Sequence, residues 1–129
     1  EITTPKPLAY IENRKGRLVW KSYLITEYVE GQEFCYFLED KSHSQKEHST
    51  ATRQVIDMLD ELGKYKISHG DLKHSNILIT KNGPTITDLD GMKVHMFSRA
   101  YIARRNKDMA RFLGNMPGNL ADVSNSEAK

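Results

Sequence analysis

Cysteine is nearly missing from this sequence: Cys35 is the only one among 129 residues. An intrachain disulfide is therefore excluded, and a cysteine-based zinc site lacks ligands. A single cysteine fits a reducing cytoplasm. Long apolar runs are missing too, since no stretch approaches the roughly 20 residues that span a bilayer. The opening EITTPKPLAY has no basic region followed by an apolar one, so nothing in it marks secretion. Repeats and low-complexity blocks are absent. So is a strong charge bias: the net charge of +2 is too small to argue for a nucleic-acid partner. What remains is ordinary for a globular chain, 38% hydrophobic and 28% charged. It suffices for one domain with a core.

Residues 1–7 carry two prolines and read as a lead-in. Two strands are expected next, about 8–13 and 18–28, with a turn at Lys15-Gly16. Val19, Tyr23, Ile25 and Tyr28 supply β-formers, and Glu30-Gly31 ends the second strand. EFCYFLEDK, 33–41, reads as a short helix and HSQKEHST, 43–50, as a polar loop. A helix is predicted from Thr52 to Tyr65, with Ala51, Val55, Met58, Leu59 and Leu62 on one face. Strands over 76–80 and 85–87 flank Lys81-Asn82-Gly83-Pro84, and Asn-Gly is a strong hairpin signal. A last helix covers roughly 100–114, ended by Gly114 and Pro117-Gly118. The polar tail 115–129 is expected to be flexible. The fold class expected from this order is α+β.

Two short stretches carry chemistry. HGDLKHSNILIT, 69–80, is followed by DLDG, 88–91. Asp71, Lys73 and Asn76 sit on an irregular segment ahead of the hairpin, and Asp88 lies at the hairpin's far end. Closing the hairpin places Asp88 near Asn76, where an amide oxygen and a carboxylate can share a hard cation such as Mg²⁺. Asp71 is then free to accept a proton from a hydroxyl. Lys73 is a point charge suited to a phosphate oxygen. Those are the parts that phosphoryl transfer needs. Taken singly, each residue is better explained by a turn satisfying its own backbone groups. Their coincidence with a following apolar strand and a D-x-D favours function.

HGDLKHSNILI resembles the protein-kinase catalytic loop H-R-D-L-x-x-x-N, and DLDG resembles the D-F-G that follows it. The upstream ITEYVEGQEF looks like the kinase hinge. The resemblance runs from about residue 8 to 114. It implies a protein-kinase-like fold, with the last N-terminal-lobe strands and hinge over 8–29 and the C-terminal lobe over 33–114. It also implies ATP and Mg²⁺ as cofactors. By it, Asp71 is the catalytic base, Lys73 meets the γ-phosphate, and Asn76 and Asp88 hold Mg²⁺. The backbone of Glu27 and Val29 would bond the adenine edge, Thr26 would be the gatekeeper, and Glu33 could reach the ribose. His69 would tie the loop to its neighbours, and Asp108 would brace it by accepting backbone N–H groups.

The departures narrow the resemblance. Gly70 replaces the loop Arg that pairs with an activation-loop phosphate, so such switching is not expected. Only about a dozen residues separate Asp88 from the last helix, without A-P-E, which argues against a conventional protein kinase. Asp90 stands where D-F-G has Gly and reads first as a turn cap, with an added carboxylate at the metal site as the alternative. HGDLKHSNILIT, TITDLDGMKVH and RRNKDMARFLGNM together look most like the bacterial lipopolysaccharide core (Kdo/heptose) kinases, with their K-D-x-A-R-x-L helix. That likeness implies a sugar hydroxyl of the lipopolysaccharide inner core as acceptor. It places the work in the cytoplasm, at the inner face of the bacterial inner membrane. Arg99, Arg104, Arg105, Lys107 and Arg111 read either as a solvated helix face or as a surface for an anionic acceptor or lipid. Arg111 reads equally as a structural ion-pair partner. RIO-like, tRNA-modification-associated and antibiotic phosphotransferases share H-G-D-x-x-x-x-N, and a non-catalytic pseudokinase or binding module is the reading from another class. No G-x-G-x-x-G, strand V-A-I-K or paired helix Glu is visible. The expectation is a fragment that binds nucleotide weakly, transfers phosphate poorly and exposes strands over 8–28, which would invite dimerisation.

Overall fold

Residues 7–26 alternate β-branched, aromatic and polar side chains around Lys15-Gly16-Arg17. In the computed structural model, which describes residues 2–114, they form β1 (Pro7–Lys15) and β2 (Leu18–Thr26). The two pair antiparallel, with irregularities between Pro7 and Ala9 and between Asn13 and Arg14. Gly16 turns the hairpin at φ +62°. Both strands differ slightly from expectation: β1 is longer at each end, and β2 stops at Thr26 rather than running to 28. Beyond that point Glu27 turns its N–H to the Lys6 carbonyl at 2.9 Å, outside the ladder. No residue of β1 or β2 is buried.

The rest of the chain builds a core. β3 (Gln32–Glu33) leads straight into α1 (Phe34–Glu39). α2 (Gln45–Lys64) follows, and it corrects the expectation of a polar loop over 43–50. Ser44 is the N-cap of α2: its hydroxyl accepts from the Glu47 N–H, and the Glu47 carboxylate accepts from the Ser44 N–H at 2.7 Å. This reciprocal cap satisfies two backbone donors that a helix start leaves open. The first turns are polar because they face solvent, so the apolar stripe that marks a helix begins only at Ala51. From there Ala51, Val55, Met58, Leu59 and Leu62 are buried.

β4 (Ile67–Ser68) precedes the polar loop, and β5 (Ile77–Thr80) and β6 (Gly83–Ile86) form the hairpin after it. The hairpin turn is only Lys81-Asn82, because Thr80 pairs with Gly83. Asn76 belongs to a short 3-10 turn (His74–Asn76) rather than to the strand. β3 pairs with the other side of β5, giving the order β3-β5-β6. A second 3-10 turn (Leu89–Gly91) leads to β7 (Lys93–Val94), which pairs with β4, and then to α3 (Ser98–Gly114). The expected flexible tail 115–129 lies outside the described residues.

The core gathers Phe34, Val55, Leu62, Leu72, Ile77, Ile86 and Phe112 between α1, α2, the β3-β5-β6 sheet and the C-terminal half of α3. Ile77 and Ile86 oppose each other in the hairpin and are both fully buried. That buried pair fixes the register, since a one-residue slip would turn both toward solvent. No helix among the described residues is long and apolar enough to cross a membrane.

Candidate active site

The hairpin register decides where the site's amide and carboxylate meet. Closing Ile77 against Ile86 lets Thr87 donate its N–H to the Asn76 carbonyl at 2.8 Å. Asp88 then follows directly, and Asn76 Nδ2 donates to Asp88 Oδ2 at 3.3 Å. Asp88 adopts φ +57° and ψ +61°, a left-handed conformation that a short polar residue tolerates better than most. Such a conformation persists only where surrounding structure holds it, and these positions cluster at functional sites.

The loop carrying Asp71 is held from two sides. His69 Nε2 bonds the Thr87 carbonyl at 2.9 Å, so the imidazole must donate there and ties the loop to the end of β6. Asp108 on α3 is buried, and its carboxylate accepts the N–H groups of His69 at 2.9 Å and Gly70 at 3.0 Å. Gly70 is set at φ +92°, and a Cβ there would stand 2.5 Å from the Gly91 carbonyl oxygen. No other residue fits without moving one of these two loops, so the glycine brings the loop before the hairpin against the turn after it.

Asp71 is the centre of charge. Lys73 Nζ lies 2.6 Å from Oδ2, and Arg111 Nη1 lies 2.5 Å from Oδ1. The Lys73 hydrogen bond chiefly holds the Asp71 carboxyl below the usual carboxylate range; desolvation opposes it, and the charges of Lys73 and then Arg111 add to the lowering. Asn76 Nδ2 also donates to the Asp71 carbonyl at 2.9 Å. Asp71, Lys73, Asn76 and Asp88 thus lie in one connected network. Asp90 is exposed within the 3-10 turn.

The predicted nucleotide residues stand on the segment before α1. Glu27 and Val29 are in the link between β2 and β3, and Glu33 pairs with Leu78 of β5. Among the described residues no hydrogen bond or ion pair joins Glu27, Val29 or Glu33 to the Asp71 network. Glu27 spends its N–H on the Lys6 carbonyl and its side chain on the Lys6 N–H at 3.0 Å. A recess of about 520 Å³ between α2 and the β5–β6 turn, lined in part by Lys46, Gln54 and Lys81, contains none of these residues.

Asn76 and Asp88 fit a divalent cation by the nature of their donors. Asn76 makes both of its side-chain hydrogen bonds through Nδ2, and its Oδ1 accepts none among the described residues. No cluster of three His, Cys, Asp or Glu side chains among the described residues could hold a metal alone. Mg²⁺ commonly takes only one or two protein oxygens and completes its shell with water and phosphate.

The protein kinase domain family model matches residues 15–115. The chain belongs to the protein kinase family. Its α+β fold is a partial protein-kinase-like fold. The chain is also similar to serine/threonine-protein kinase 17A of Oryctolagus cuniculus, 27% identical over 94 residues. That match takes in 70% of this chain but only 23% of the rabbit kinase.

Two contacts of this kinase chain were beyond sequence reasoning. Spacing did not show that Arg111 meets Asp71, 40 residues away in the chain. Nor did it show that His74, inside the catalytic-type loop, is buried against Phe34 and Phe112 and bonded to the Phe112 carbonyl at 2.7 Å. The basic residue in K-D-x-A-R-x-L was the available signal for Arg111. For His74 there was none.

Proposed function

We propose that the chain carries the catalytic loop and metal-binding residues of a phosphotransferase acting on a sugar hydroxyl of the lipopolysaccharide inner core. The observation that carries the reading is the Asp71–Lys73–Asn76–Asp88 network, whose members stand within hydrogen-bond reach of one another in sequence. In this reading Asp71 orients the acceptor hydroxyl and takes its proton. Lys73 turns to the γ-phosphate, and Asn76 and Asp88 hold Mg²⁺, which would screen the phosphate charge. The carbonyl of Glu27 and the N–H of Val29 meet the adenine edge, and Glu33 the ribose. Residues 8–29 serve as the hinge side and 33–114 as the catalytic lobe.

An anionic acceptor is supported by charge. Residues 91–107 contain Lys93, Arg99, Arg104, Arg105 and Lys107 and no acidic residue. Gly70 and the short link over 89–97 support a kinase without a phosphate-switched activation loop. The same charge suits work beside the anionic inner face of a membrane. Similarity to a serine/threonine kinase favours a second reading, a protein hydroxyl as acceptor.

The test is a thermal shift with ATP and Mg²⁺, compared between the wild type and Asp88→Ala. A Mg²⁺-dependent rise that Asp88→Ala removes is the expected result. No Mg²⁺-dependent rise would sink the phosphotransferase reading in favour of a non-catalytic module. Incubating the protein with labelled ATP and either a Kdo-containing lipid or a generic protein substrate separates the two acceptors.

A further inference from the structure

We propose that Arg111 is a positioning residue: from α3 its guanidinium fixes the Asp71 carboxylate in the orientation that presents Oδ2 to an acceptor hydroxyl. The inference rests on reading Asp71 as the group that orients that hydroxyl. Arg111 Nη1 donates to Asp71 Oδ1 at 2.5 Å and to the Gly70 carbonyl at 3.3 Å. Asp108 lies three residues earlier on α3, and residues at that spacing share a helix face. That face therefore takes both backbone groups of Gly70: its N–H goes to Asp108 and its carbonyl to Arg111.

The geometry leaves this task to α3. Position 70 can supply no cation of its own, because a Cβ there would meet the Gly91 carbonyl at 2.5 Å. Lys73 holds the other oxygen, Oδ2, at 2.6 Å. When Lys73 turns to a phosphate, it frees Oδ2 and removes one of the two restraints on Asp71. Without a second restraint, a half-exposed aspartate samples its staggered χ1 wells. Arg111 on Oδ1 supplies that restraint and leaves Oδ2 open. One carboxylate and two cations thus divide the work: one cation leaves for the nucleotide and one stays with the base.

The experiment reads Asp71 χ1 directly. Three-bond couplings from its backbone N and carbonyl carbon to Cγ are measured in the wild type, Arg111→Met and Arg111→Lys, with and without Mg²⁺ and a non-hydrolysable ATP analogue. The wild type is expected to hold one rotamer in both conditions. Arg111→Met is expected to give rotamer-averaged couplings, most completely with the analogue present, and Arg111→Lys to restore most of the single-rotamer signature. With the analogue present, a single rotamer in Arg111→Met overturns the proposal, as does equal averaging in Arg111→Lys. If Arg111→Met does not fold, Arg111→Gln keeps a donor without the charge and reads the same couplings. Failure of the phosphotransferase reading shows separately, as absence of any response of the Asn76 and Asp88 signals to Mg²⁺ and the analogue, whichever way the Asp71 couplings fall.

Discussion

The β1–β2 hairpin and the lobe that follows it use similar side chains and put them in opposite surroundings. Leu18 is 76% exposed and Trp20 61%, while Phe34, Ile77 and Ile86 are at 0%. The hairpin is apolar on both faces, since Tyr10 opposes Leu24 and the neighbouring pair Ile11 and Tyr23 points the other way. That is the pattern of a strand covered on both sides, not of one with a wet face. A two-stranded ribbon with neither face covered is marginal in water. The lobe differs in having two helices to lay against its sheet. β-forming sequence therefore makes a strand locally, and only a facing element makes it core.

Mutations sharpen that contrast, beginning with the largest expected loss. Phe34→Ala removes a fully buried ring that stacks on Phe112 and meets His74 edge-on. It should cost about 3–5 kcal/mol in urea unfolding. Asp108→Ala leaves the His69 and Gly70 N–H groups without their acceptor inside the protein. A loss of about 3 kcal/mol is expected, and amide exchange at those two residues should rise more than elsewhere.

Ser44→Ala, at the start of α2, should cost about 1 kcal/mol. The Ser44 hydrogen bonds lower the Glu47 pKa below its ordinary value. A depressed carboxylate pKa stabilises above the unfolded value, about 4.3 for Glu, and that contribution is lost as pH falls through the lowered folded value. The gap between wild type and Ser44→Ala should therefore narrow on acidification below about pH 4. A gap that stays constant down to low pH would show that the Glu47 arm of the cap contributes nothing. The smallest effect is expected at Trp20→Ala, within about 0.5 kcal/mol. A loss there matching Phe34→Ala would mean that the hairpin is packed against something in solution, and the contrast between the two regions would fail.

Much of the lobe could be read from residue order alone. The i, i+4, i+7 stripe from Ala51 to Leu62 marked α2, and Asn82-Gly83 between apolar runs marked the hairpin. The spacing Asp71, Lys73, Asn76, then Asp88 marked the site. The start of α2 was missed because its polar turns show no periodicity, although Ser44 and Glu47 carried a capping signal. β3, β4 and β7 are two-residue strands, too short for any pattern to reveal.

The sequence by itself determined the types of group at the site and their order, because the covalent spacing of a loop limits which of its side chains can meet. It also determined the polarity of each helix face and the hairpin turn, which depend on neighbours a few residues apart. Tertiary structure decided the long-range partners. Whether Asp108 and Arg111 reach the loop at Gly70 depends on how α3 packs through Phe112 on the core, a contact spanning some 40 residues that no local pattern encodes. It also decided burial, since the same apolar side chains become core at Ile77 and stay wet at Trp20 according to what lies opposite them.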